Sequence, residues 1–252
     1  MTVLERFRRG EIRGLSRIVS FVENREAGFQ ELLGHLYTKA GHSLRIGVTG
    51  PPGAGKSTLV DGLAAHFLKD GKRVGIVAVD PTSPFTGGAL LGDRVRMNQM
   101  PADGSVYFRS MATRGATGGL AGATDNVAVV YDAFGFEVTL IETVGVGQVE
   151  LDIVDSCDSV VVVLVPESGD AVQTMKAGLM EIADIFCINK SDRPGAERIA
   201  ADLKQMLDTR KAKDDDWRIP IVSTEAITSK NVDRLYGRRA RLCGSLSTNR
   251  TF

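Results

Sequence analysis

One stretch, Gly50-Pro51-Pro52-Gly53-Ala54-Gly55-Lys56-Ser57-Thr58, constrains this chain more than any other. Gly50, Gly55, Lys56 and Ser57 stand at the spacing of a phosphate-binding loop. The stretch follows a run of strand-forming residues, Arg45–Thr49, and opens a run with a helical stripe, Thr58–Lys69. In a strand–loop–helix of this kind, glycines let backbone N–H groups curl around an anion, and the helix N-terminus adds partial positive charge. Lys56 is expected to reach the β- and γ-phosphates, and the Ser57 hydroxyl to bind Mg²⁺. A plain glycine-rich turn with an exposed lysine is the bland alternative. The strand before it and the helix after it argue against that reading.

From Leu44 onward, strand-like runs alternate with helical stripes. The expected strands are Arg45–Thr49, Arg73–Val79, Val106–Ser110, Val138–Glu142, Ser159–Val165, Ile185–Asn189 and Pro220–Ser223. Several are continuously apolar, as strands covered on both faces are. This order predicts an α/β fold of the P-loop NTPase type, a mostly parallel sheet flanked by helices, with ligands at the carboxyl ends of the strands. Before it, Leu4, Phe7, Ile12, Leu15, Ile18, Val19 and Val22, then Phe29, Leu32, Leu33 and Leu36, recur at helical spacing. The reading divides the chain into an N-terminal helical extension (1–42), a P-loop domain (43–236) and an atypical or disordered tail (237–252). Residues 81–92 and 113–124, rich in Gly, Thr, Ser and Pro, read as long functional loops.

Composition narrows the partners. Lys plus Arg number 31 and Asp plus Glu 31, so the net charge is zero and gives no electrostatic support for nucleic-acid or membrane-surface binding. The longest apolar run, Ser159–Pro166, is far short of a membrane span of about 20 residues. Cys157, Cys187 and Cys243 form no pair with metal-ligand spacing. They read as free thiols of a cytoplasmic protein, with Cys157 and Cys187 packed around the sheet.

Further motifs fall at expected strand ends. Asn189-Lys190-Ser191-Asp192 matches the NKxD guanine-specificity motif. Asp192 offers two acceptor oxygens to the guanine ring N–H and exocyclic amine, a donor pair that adenine lacks. Asn189 can bond the base and nearby loops, and the Lys190 stem can cover the ring. Glu142-Thr143-Val144-Gly145 places an acid where it can hold Mg²⁺ through water and an N–H, that of Gly145, where it can meet a γ-phosphate. Val146 follows, where many small GTPases carry a water-orienting glutamine, so slow intrinsic turnover is expected. Gln148 is a substitute or a structural residue. Asp93 is a candidate Mg²⁺ ligand, Asp80 a ligand or a water-positioner, and Arg94 or Arg96 a source of transition-state charge. Thr224, Glu225 and Ala226, after the last strand, fit a loop lying against the guanine.

Taken together, GVTGPPGAGKSTL, AVDPTSPFTGGALLGDRVRM, RSMATRGATGGLA, IETVGVGQVE and MKAGLMEIADIFCINKSD resemble the methylmalonyl-CoA mutase-associated GTPases, the MeaB/ArgK group, from about Leu15 to about Leu235. The resemblance implies a GTP-binding and GTP-hydrolysing chaperone of adenosylcobalamin-dependent methylmalonyl-CoA mutase, or of a related enzyme, that gates cofactor delivery and protects its client. It maps Mg²⁺ and switch roles onto Ser57, Asp80, Asp93 and Glu142. A further switch maps onto Pro166–Lys176, with Asp170 and Lys176 relaying nucleotide state. Family members continue into a C-terminal arm that builds a homodimer. This chain stops at Phe252, so dimerisation stays open, and Asn231 stands where relatives usually have glycine. Two rival readings are a GTPase metallochaperone and an ATP-dependent kinase or transport ATPase. The scattered His35, His42 and His66 speak against the first, and the NKSD sequence against the second.

Overall fold

The computed structural model describes residues 2–80, 103–112, 119–143, 154–168, 177–209 and 218–238. Three helices come first: α1 (Val3–Arg8), α2 (Ile12–Glu23) and α3 (Phe29–Tyr37). Then follow β1 (Leu44–Thr49), α4 (Lys56–Lys69), β2 (Val74–Asp80), β3 (Val106–Ala112), α5 (Gly119–Phe134) and β4 (Val138–Thr143). The remainder holds β5 (Ser159–Leu164), α6 (Ala177–Ile182), β6 (Ile185–Ile188), α7 (Ala196–Thr209), β7 (Ile221–Ser223) and a helix over residues 232–238. The sheet has seven strands in the order β3-β2-β4-β1-β5-β6-β7, parallel at β2–β3, β5–β6 and β6–β7. This is the expected α/β fold, and each expected strand appears within a residue or two.

Packing divides the chain into two units, Met1–Ile46 with Phe67–Glu142 and Gly47–His66 with Thr143–Phe252. In the first, Thr2 and Glu5 form a capping box at the start of α1. The stripe Leu15, Ile18, Val19 and Val22 of α2 is buried, and α2 packs on α5. Ridge-to-groove burial of such a face, rather than intrinsic propensity, supplies most of a short helix's stability. Arg109 of β3 pairs with Glu23 of α2 and also donates to the Ser20 hydroxyl at 3.3 Å, which ties α2 to the strand. Buried Asp132 on α5 accepts from the N–H groups of Gly41 (2.6 Å) and His42 (3.2 Å), so it fixes how the chain enters β1.

The start of α5 departs from expectation. Gly119–Thr124 read as loop, yet the helix begins at Gly119. Gly and Thr are poor helix formers, but packing of α5 against α2 and α3 overrides that local preference. No helix among the described residues is long and apolar enough to cross a membrane.

Candidate functional site

The second unit carries the candidate phosphate loop and the NKSD stretch. Strand β1 ends at fully buried Thr49, whose hydroxyl oxygen accepts from Thr143 Oγ1 at 2.8 Å. The chain then turns through Gly50 with φ of 141°. A Cβ at Gly50 would stand 2.1 Å from the Val163 carbonyl oxygen of β5, so both the dihedral and the close approach require glycine. At Gly55, with φ of 82°, a Cβ would lie 2.5 Å from Asn189 Nδ2. The loop is thus pressed against β5 on one side and the residue after β6 on the other.

Lys56 opens α4 and is buried. Its Nζ donates to the carbonyls of Gly50 (2.7 Å) and Pro51 (2.9 Å). The ammonium is therefore held at the loop by two backbone carbonyls. Ser57 is half-buried and Thr58 exposed in the first turn. Among the other loop residues Ala54 is fully buried, whereas Pro52 and Gly53 are exposed.

Asn189, buried, follows β6 and spends its amide on protein. Nδ2 donates to the Ala54 carbonyl (2.8 Å), and Oδ1 accepts from the Ala226 N–H (3.0 Å) and the Thr224 hydroxyl (3.2 Å). It straps the phosphate loop to the loop after β7, the "nearby loops" half of its expected role. The Thr224 hydroxyl also meets Cys187 Sγ at 3.2 Å. Burial pushes the Cys187 thiol up to about 12, partly offset by the Thr224 contact, so the sulfur stays protonated. Cys187 and Asn189 lie two residues apart and face the same side of the strand. That spacing was the available signal for a Cys187–Thr224–Asn189 chain, which sequence reasoning missed.

The turn after Asn189 is closed by backbone hydrogen bonds. Lys190 has φ of 55°, Ser191 N–H donates to the Thr224 carbonyl (3.0 Å) and Arg193 N–H to the Lys190 carbonyl (3.0 Å). Asp192 is exposed, and its carboxylate takes no partner among the described residues. Glu225 pairs with Lys230 at 2.5 Å, and the Lys230 side chain holds the Glu225 carboxyl below the usual carboxylate range. The Glu225 carboxylate is thus engaged by protein. Asn231 has φ of 60°, and its Nδ2 donates to the Ser223 carbonyl at 2.9 Å. A left-handed backbone explains why glycine suits this place and why asparagine replaces it well.

In the first unit, Asp80 is the last residue of β2, and Glu142 is a buried carboxylate one residue before the end of β4. The candidates Asp93, Arg94, Arg96, Gly145, Val146, Gln148, Asp170 and Lys176 lie outside the described residues.

A parallel sheet whose β1 runs through a glycine loop into a helix headed by lysine defines a P-loop NTPase. The chain belongs to the family described as methylmalonyl Co-A mutase-associated GTPase MeaB, whose model matches residues 15–247. It is a P-loop GTPase. A protein of Pyrococcus abyssi described as a GTPase is 50% identical over 238 residues, covering 94% of this chain and 74% of that protein. The mitochondrial methylmalonic aciduria type A homolog of Mus musculus is 36% identical over 197 residues, covering 77% of this chain and 48% of that one. The crystal structure of a LAO/AO transport system kinase superposes with a TM-score of 0.79 at 27% identity, covering 98% of this chain and 76% of the other.

Proposed function

We propose that this GTPase is a chaperone of adenosylcobalamin-dependent methylmalonyl-CoA mutase, or of a related enzyme, gating cofactor delivery and protecting its client. The observation that carries the proposal is membership of the mutase-associated family over residues 15–247, joined to an intact phosphate loop. The mouse relative's name, which refers to methylmalonic aciduria, supports the same client class. Cys157 and Cys187 are both present as thiols rather than in a disulfide, which supports a reducing cytoplasm.

In this reading residues 50–58 hold the phosphates, and Lys56 supplies a charge already fixed by two loop carbonyls. Pre-organisation of this kind lowers the reorganisation needed during phosphoryl transfer. Asp192 accepts from the guanine ring N–H and amine, Lys190 covers the base, and Thr224 to Ala226 border it. Asn189 keeps the phosphate and base loops in register. The candidate metal donors are oxygens: the Ser57 hydroxyl and the carboxylates of Asp80, Asp93 and Glu142. Buried Glu142 and the hydroxyl at the head of α4 fit the hard-oxygen preference of Mg²⁺. When bound, Mg²⁺ neutralises phosphate charge. Arg96 is the candidate for further transition-state charge, and Gly145 for a γ-phosphate contact.

The test is GTP hydrolysis by the purified chain, with and without methylmalonyl-CoA mutase. A slow basal rate raised by the mutase is expected. A rate indifferent to the mutase would leave a GTPase with another client. Lys56→Ala should abolish hydrolysis and weaken triphosphate more than diphosphate binding. Equal losses would remove the γ-phosphate role from Lys56.

A further inference from the structure

The base-reading candidate Asp192 sits between two cations, Lys190 and Arg193, in a turn held by three backbone hydrogen bonds: Arg193 N–H to Lys190, Ser191 N–H to Thr224 and Thr224 N–H to Ile188. A carboxylate flanked in this way would ordinarily attract one of its neighbours. Any such pairing would occupy the oxygens that a guanine needs. Yet Asp192 is exposed and has no hydrogen bond or ion pair among the described residues. The Arg193 guanidinium points instead to Glu167, in the single helical turn Pro166–Ser168 after β5, and forms an ion pair with it.

The two segments also approach each other at Gly195, where a Cβ would lie 3.8 Å from Pro166 Cβ. Glu167 has its carboxyl held below the usual range, first by its own backbone N–H, then by Arg193, with Lys190 adding a smaller attraction. Arg193 is therefore committed to an acid that is not the base reader.

We propose that Glu167 is a specificity-determining positioning residue of the guanine site: it is the counter-ion that holds Arg193 away from Asp192 and leaves that carboxylate open to the base. The inference rests on Asp192 being the base reader. Glu167 and Arg193 side chains are about half exposed, 51% and 49%, so the effect is modest, the two- to five-fold scale of an exposed ion pair, roughly.

The experiment compares affinities for GDP and IDP, which differ only in the exocyclic amine that Asp192 would accept from. Glu167→Gln should lower the GDP-over-IDP preference about two- to five-fold, because Arg193 then turns to Asp192. Adding Arg193→Gln should restore the preference, and Glu167→Asp should keep most of it. Equal weakening of GDP and IDP by Glu167→Gln would mean a merely structural role and overturn the proposal. So would an unchanged preference in Glu167→Gln when Asp192→Asn collapses it, a result that keeps Asp192 as the base reader. An unchanged preference in Asp192→Asn would remove the base reading itself, and the Glu167 proposal with it.

Discussion

Asn189 gives the sharpest test of how the site is held. Its buried amide makes three hydrogen bonds: to the Ala54 carbonyl, the Ala226 N–H and the Thr224 hydroxyl. At about 1 kcal/mol each, with two backbone groups left unsatisfied, Asn189→Ala should cost about 2–4 kcal/mol. Asn189→Asp is nearly isosteric and keeps the acceptor for Ala226 and Thr224. It places an oxygen where Nδ2 now stands, 2.8 Å from the Ala54 carbonyl oxygen. Ionised, that carboxylate is buried against an acceptor, at a cost on the order of 3–5 kcal/mol. Protonated, it donates to Ala54 as the amide does. Its folded pKa is therefore raised above the unfolded value of about 3.9. The favourable neutral pairing is fully present below that unfolded value and is lost as pH rises through the folded one. Urea unfolding from pH 5 to 8 should show the Asp variant's deficit growing with pH, and the Ala variant's deficit staying flat. A pH-independent deficit for Asn189→Asp would refute the contact with the Ala54 carbonyl. A cost below about 1 kcal/mol for Asn189→Ala would refute the strap.

Gly50→Ala should destabilise by about 3 kcal/mol or more, from a disfavoured dihedral plus a collision with the Val163 carbonyl, and an unchanged urea midpoint would contradict this. Cys187, fully buried and with its thiol pushed up to about 12, should react with thiol reagents at pH 8 only as fast as the chain unfolds. Half-buried Cys157 should react in the native protein, and peptide mapping separates the two. Arg109→Ala should cost about 2–3 kcal/mol in thermal unfolding, because it leaves the mostly buried Glu23 carboxylate without its cation, and Arg109→Lys should recover part of that.

Much of this was legible in the residues. Runs such as Val160–Leu164 admit little but a strand covered on both faces, and the glycine spacing around Lys56 admits little but a phosphate loop. Strand ends moved by a residue or two because hydrogen-bonded register, not composition, sets them: Asp80 pairs with Ala112 and so belongs to β2. The first turns of α5 were hidden because Gly119 and Gly122 look like breakers when their packing partners on α2 and α3, roughly a hundred residues earlier, are out of view. The use of Asn189 was half visible. Its partners Thr224 and Ala226 are 35 and 37 residues away and arrive only through the pairing of β6 with β7. The Cys187–Thr224 contact depends on that same register, which places Cys187 opposite Val222. The Glu167–Arg193 pair had no sequence signal, since nothing in PESGD announces a partner 26 residues on.

The strap at Asn189 also bears on how the site opens. Hydrogen-bonded amide protons exchange with solvent when those bonds open, either locally or in a larger cooperative unit. The N–H of Ala226 is bonded to a side chain that also grips the phosphate loop. An opening that swings the Asn189 side chain away releases the Ala226 N–H and the Ala54 carbonyl together. The two loops therefore share one buried side chain, and exchange at the Ala226 amide reports on the strap that joins them.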